Sequence, residues 1–188
     1  MSVQPLKRGS VKTRKRENIA TSSNATASTL QPFNASTITI ANRQRTQKIN
    51  ARLLKQIVSA LFEELKIENG ELGINLVSAK EMARVNWQFL QHEGSTDVIT
   101  FDHQQSAIGN RQSAIHLHGE LFICVEDAVE QAKEFGTTWQ SEIIRYTVHG
   151  ILHLLGHDDL KPAPRRTMKR EENRLVRWLA KKFSLAKL

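Results

Sequence analysis

His149 and His153 stand four residues apart in the segment His149-Gly150-Ile151-Leu152-His153-Leu154-Leu155-Gly156-His157-Asp158-Asp159. On a helix that spacing separates two side chains by about 40° in azimuth, so both imidazoles can face one ion. A catalytic divalent metal usually takes three protein ligands and keeps one position open. Two candidates for the third ligand follow, His157 and Asp159. If the helix continued, His157 would lie about 12 Å along the axis from His149. Metal–nitrogen bonds of about 2 Å do not bridge that gap. Gly156 lets the chain leave the helix and turn back, which points to Asp159, beyond the turn, as the third ligand. The pattern H-x3-H-x2-G-x2-D predicts one divalent metal ion per chain, zinc above others, used for hydrolysis. A lone histidine in an apolar helix is usually a packed core residue. Here the pair, the glycine and the carboxylate together carry the metal reading. His92, His103, His116 and His118 lack such spacing and read as surface or loop residues.

The helix that carries the pair starts after Thr137 or Thr138, buries Ile144, Val148, Ile151, Leu152 and Leu155, and stops at Gly156. Other elements follow from the same periodicities. Thr37-Ile38-Thr39-Ile40 alternates as a strand does. Ile49, Leu53, Ile57, Leu61 and Leu65 make a helical stripe, followed by Gly70, and Gly73–Val77 reads as a strand. Ser78 and Glu81 form a capping box for a helix through Met82, Val85 and Phe89, ended by Gly94. Strands are expected over Thr96–Phe101 and Gly119–Val125, with a polar loop or hairpin over 103–117. A short helix runs from Glu126 to Phe135, closed by Gly136. Pro164 opens a last helix with Met168, Leu175, Val176, Leu179 and Phe183 inside and basic residues outside. Strands and helices interspersed without a strict βαβ rhythm predict a single α+β domain. Its mixed sheet is packed by helices, and the metal site lies on a helix followed by a glycine turn. Cys124, the one cysteine, falls in an apolar run and reads as a buried strand residue.

Charge is unevenly spread. Residues 1–48 carry nine Lys/Arg and one acid, residues 161–188 ten and two, and residues 49–160 eight and sixteen. Basic ends around an acidic centre suit a polyanionic partner and a cation site. Residues 1–35 read as a basic, Ser/Thr-rich, disordered extension and residues 36–188 as the folded domain. The extension also has the composition of an organelle transit peptide. No apolar run approaches the length needed to span a bilayer, which excludes a helical membrane protein, so the expected location is the cytoplasm, or an organelle if the extension is a targeting segment.

Two motifs resemble the YbeY endoribonucleases, zinc-dependent single-domain proteins of rRNA maturation and ribosome quality control. The family pattern H-G-x-L-H-L-x-G-x-D-H is similar to the run through His149, Gly150, Leu152, His153, Leu154, Gly156 and Asp158. A second pattern, L-N-x-x-Y-R-x-x-D-x-P-T-D-V-L-S-F, is similar to Val85–Phe101, and a third to Gly119-Glu120-Leu121. The resemblance spans about residues 36–183. It implies a metal-dependent, single-strand endoribonuclease acting on rRNA or ribosomal particles, with Glu120 or Asp97 receiving the proton from the attacking water.

Two positions depart from the pattern. Asp159 stands where the family has its third histidine, and a carboxylate brings Mn2+ or Fe2+ into competition with zinc. Leu90 stands where the family has an arginine, and a leucine pairs with no phosphate. Arg84 and Arg145 are the cations expected to take over RNA binding. Two other readings compete. A metzincin-like metallopeptidase shares the ligand spacing, but it needs a general-base Glu where this chain has Gly150. A ribosome-associated zinc protein without cleavage activity is the non-enzymatic alternative.

Overall fold

The structure is a computed structural model, and it describes residues 14–15, 36–104 and 115–188. Its strands are Arg14–Lys15 (β1), Thr37–Asn42 (β2), Ile67–Val77 (β3), Val98–Asp102 (β4) and Ile115–Cys124 (β5). Its helices are Ala51–Glu64 (α1), Ala79–Leu90 (α2), Val125–Phe135 (α3), Trp139–Leu154 (α4) and Pro162–Lys182 (α5), with a final 3-10 turn at Leu185–Lys187. The sheet order is β1-β4-β5-β3-β2. β4 runs antiparallel to β5 and every other neighbouring pair is parallel. This is the mixed-sheet α+β architecture expected. The bulk of residues 1–35, and with it the reading of that segment as an extension, lies outside the described residues.

β3 is an interior strand, between β5 and β2, and its C-terminal half is covered on both faces, so Ile74, Asn75, Leu76 and Val77 are all buried. One face of the sheet, with Leu72, Leu117, Leu121 and Ile123, packs on α1, α3, α4 and α5 in the larger core. The other face, with Val77, Ile99, Phe101 and Cys124, packs on Met82 and Val85 of α2. Cys124 is fully buried, and burial pushes its thiol pKa up, as an inert core residue requires.

Several boundaries move. β3 begins at Ile67, ahead of the expected Gly73, and runs through Gly70, where the Phe62 ring of α1 occupies the space a side chain would need. α2 ends on Gln91, which adopts the left-handed conformation (φ 57°), so Gly94 belongs to the following loop. β5 starts at Ile115, inside the expected polar segment, and residues 105–114 lie outside the described residues. α5 begins at Pro162 rather than Pro164, because proline in the first turn lacks only an N–H that has no helical partner. Among the described residues no helix is long and apolar enough to cross a membrane.

Candidate metal centre

Thr138 caps α4, its hydroxyl oxygen accepting from the Ser141 N–H at 3.3 Å. Eleven of the sixteen residues of α4 are buried, as expected of a helix apolar nearly all round. Gly150 presses this helix onto the sheet. A Cβ there would lie 2.6 Å from Leu121 Cδ2 and 3.1 Å from Thr100 Cγ2. His149 and His153 sit about 60–100° round the helix from Gly150, on the flank facing α5.

The helix ends in a Schellman motif. The Gly156 N–H donates to the His153 carbonyl at 2.9 Å and the His157 N–H to the Leu152 carbonyl at 3.0 Å. Gly156 takes φ +87°, a conformation L side chains rarely adopt. This turn carries the chain back so that Asp159 faces the two histidines. Asp159 Oδ2 lies 3.9 Å from His149 Nε2, and Oδ1 lies 3.9 Å from His153 Nε2. His157 contributes its carbonyl oxygen instead of its ring, accepting from His153 Nδ1 at 3.0 Å.

The acceptors settle the tautomers. His149 Nδ1–H donates to Glu172 Oε2 at 2.9 Å, and His153 Nδ1–H donates to the His157 carbonyl. A neutral imidazole protonated at Nδ1 carries a bare lone pair at Nε2. The two Nε2 atoms lie 3.1 Å apart, close enough to share a proton or, with both rings neutral, to turn both lone pairs on one metal ion. Burial, and next the neighbouring His149, lower the His153 pKa and keep its ring in the neutral form a metal requires. Asp159 Oδ1 is buried and accepts no hydrogen bond among the described residues. Two convergent lone pairs and an orphaned carboxylate oxygen, all within 4.8 Å of one another, fit a divalent ion with a two-nitrogen, one-oxygen donor set. Zinc, Mn2+ and Fe2+ all accept such a set.

Behind His149 runs a second layer. Glu172 Oε1 accepts from Arg145 Nη1. Arg145 Nη1 also donates to Asn173 Oδ1 at 2.9 Å, and its Nε lies 3.8 Å from Glu142 Oε2. Burial acts to raise the Glu172 pKa, but the hydrogen bonds from His149 and Arg145 outweigh it and hold the carboxyl below the usual range. Arg145 thus serves Glu172, and Glu172 orients His149.

A cavity of about 150 Å³ opens beside the ligands, lined by Asp97, Arg145, Tyr146, Arg165 and Lys169 among others. Asp97 opens β4. Its Oδ1 accepts from the Val98 N–H at 2.9 Å and the Thr96 hydroxyl at 3.0 Å, while burial raises its pKa. Glu120 lies elsewhere. Its neighbours Gly119 and Leu121 face α4, so strand alternation puts Glu120 on the opposite side of the sheet, half-exposed and 3.9 Å from His103 Nε2. Arg84 is exposed on α2 and does not line the cavity. Leu90 is half-buried against the smaller core.

Sequence reading does not single out Glu172, one of two acids on a basic helix. The signal was present: Glu172 falls four residues after Met168 and three before Leu175, inside the apolar stripe of α5. A carboxylate at such a position is buried with a partner.

The sequence profile described as Endoribonuclease YbeY matches residues 39–180. A protein of that name from Elusimicrobium minutum is 35% identical over 124 residues, covering 66% of this chain and 85% of the relative. Another from Bacteroides fragilis is 36% identical over 137 residues, covering 73% and 86%. A Thermotoga maritima protein determined in solution superposes with a TM-score of 0.57 at 26% identity, covering 78% of this chain and 91% of that one. With the profile spanning most of the chain and the relatives matched over most of their own length, the chain belongs to the endoribonuclease YbeY family.

Proposed function

We propose that the protein is a metal-dependent endoribonuclease that cuts single-stranded rRNA, free or in ribosomal particles, during maturation and quality control in the cytoplasm. The observation that carries this reading is the convergence of His149 Nε2, His153 Nε2 and the orphaned Asp159 carboxylate beside a cavity that also holds cationic side chains. When bound, zinc or a related ion supplies Lewis acidity toward a phosphate oxygen and toward water. His149, His153 and Asp159 hold it, and Glu172 and the His157 carbonyl keep the two rings in register. Asp97 is the proposed proton acceptor. Its Oδ1 is occupied by two donors, so the proton from the attacking water goes to Oδ2, and burial makes this carboxylate a stronger base than a free one. The position of Glu120 on the far side of the sheet argues for Asp97 over Glu120. Arg84 and the basic face of α5 contact flanking phosphates without reading sequence.

Gly150 weighs against the metallopeptidase. The position that would carry a general-base Glu points into Leu121 and Thr100, where even a Cβ is crowded. The test is cleavage of purified rRNA and of casein by protein with a measured metal content, with and without chelator. RNA cleavage that stops on chelation is the expected result. Casein cleavage would move the assignment to a peptidase, and stoichiometric metal with neither activity would favour the ribosome-associated protein without cleavage.

A further inference from the structure

No residue of α2 is among those lining the cavity, and Arg145, which does line it, has its Nη1 bonded to both Glu172 and Asn173 and its Nε 3.8 Å from Glu142 Oε2. We infer that Arg165, in the first turn of α5, is the residue that pairs with the substrate phosphodiester at this site; the inference rests on the nuclease reading above.

Arg165 lines the cavity that holds His149 and Asp159. Its Nε donates to the Asp159 carbonyl oxygen at 2.7 Å, which fastens the side chain to the residue that supplies the third ligand. That bond uses only Nε. Nη1 and Nη2 make no hydrogen bond or ion pair among the described residues, and the residue is exposed at the cavity mouth. A guanidinium with its stem anchored and its two terminal nitrogens unengaged presents the planar fork that matches two phosphate oxygens. Anchoring also limits the side-chain entropy lost on binding. Arg145 differs in kind: it holds Glu172 in place, so it is a positioning residue.

The experiment exploits an isosteric feature. In Arg165→Gln the amide nitrogen falls where Nε lies, so the tie to the Asp159 carbonyl survives while the terminal fork is removed. The probe is a single-stranded 2′-O-methyl phosphorothioate RNA, which resists cleavage, bound to metal-loaded protein. Arg165→Gln is expected to keep its metal and melting temperature, and to weaken probe binding about 10- to 100-fold at low salt. The slope of log affinity against log salt should flatten by about 0.7, one phosphate contact on a single strand. On cleavable rRNA, kcat/KM should fall about 100- to 1,000-fold. Arg165→Lys, which keeps the charge without the fork, should recover part of the binding. Wild-type probe affinity and salt slope in Arg165→Gln would overturn the inference, and so would a loss of metal, which would make Arg165 a loop tether alone. A wild-type protein that cuts no RNA but still binds the probe through Arg165 would refute the nuclease and leave this contact standing.

Discussion

Replacing Glu172 by alanine should weaken metal binding without touching any of the three ligands. Glu172 is buried at 3% exposure and accepts hydrogen bonds from both His149 Nδ1 and Arg145 Nη1. Without it, nothing fixes the His149 tautomer, and the ring loses the acceptor that aims Nε2 at the ion. Comparable losses behind other metal-binding histidines cost about 10- to 100-fold in affinity, or about 1.4–2.8 kcal/mol. A second cost appears without metal. Removing one partner of a buried ion pair costs about 3–5 kcal/mol. Arg145 is 18% exposed and keeps Asn173 and Glu142 nearby, so about 2–3 kcal/mol is the better figure here. At about 2–4 °C per kcal/mol for a chain of this size, metal-free protein should melt about 4–12 °C lower. The pH dependence has a definite sign. The folded-state pKa of Glu172 is depressed, so its stabilisation is present above the ordinary carboxylate pKa and is lost as pH falls through the folded value. The gap between wild type and Glu172→Ala should therefore close as pH drops below about 4.3. Chelator competition gives the affinity, and thermal melts of metal-free protein across pH give the stability. Wild-type metal affinity in a folded Glu172→Ala protein would refute the positioning argument.

Asp97→Asn keeps both Oδ1 hydrogen bonds and removes a buried charge whose pKa is raised; metal-free protein should melt higher than wild type at pH 7. That advantage should vanish below about pH 3.9, where Asp97 is protonated in both states, while cleavage of rRNA drops by about 100-fold or more. Asp159→Ala should lower metal affinity by orders of magnitude, whereas His157→Ala, which leaves the carbonyl that holds His153, should have little effect; elemental analysis after dialysis against a weak chelator ranks them. Gly150→Ala should destabilise the fold by about 1–3 kcal/mol through overpacking against Leu121 and Thr100, read by denaturant titration. Leu90→Arg should fold with a modest loss of stability, since Leu90 packs at the margin of the smaller core, and raise the cleavage rate on rRNA. A folded variant with no gain would indicate that the phosphate already has its guanidinium.

The clustering of His149, His153 and Asp159 was legible because its determinants are local. Two histidines one turn apart, a glycine that must leave the helix and a carboxylate three residues later lie within eleven consecutive positions, and geometry alone ranked Asp159 over His157. The helices were legible where caps and stripes agreed, as at Ser78 and Thr138. What stayed hidden depends on distant packing. Gly70 reads as lying between a helix and a strand, yet it is a strand residue kept small by the Phe62 ring. Glu120 reads as a candidate base from its motif, but only strand register reveals which face it occupies. Arg145 reads as a phosphate ligand by charge, and only the fold of α5 against α4 shows that Glu172 already engages it.

The two departures from the family pattern bear on one quantity, the charge presented to the substrate. Asp159 in place of histidine lowers the formal charge of a loaded site by one. Leu90 in place of arginine lowers it by one more. Both changes weaken attraction for a phosphodiester, and both oppose stabilisation of the charge that builds in its transition state. Arg165 offsets one of them, and its Nε is bound to the backbone of Asp159 itself. The ligand that reduces the charge therefore also positions the cation that restores part of it. A carboxylate ligand would further shift preference toward harder ions, and the proposed ligand and the proposed phosphate contact both belong to one short segment, residues 159–165.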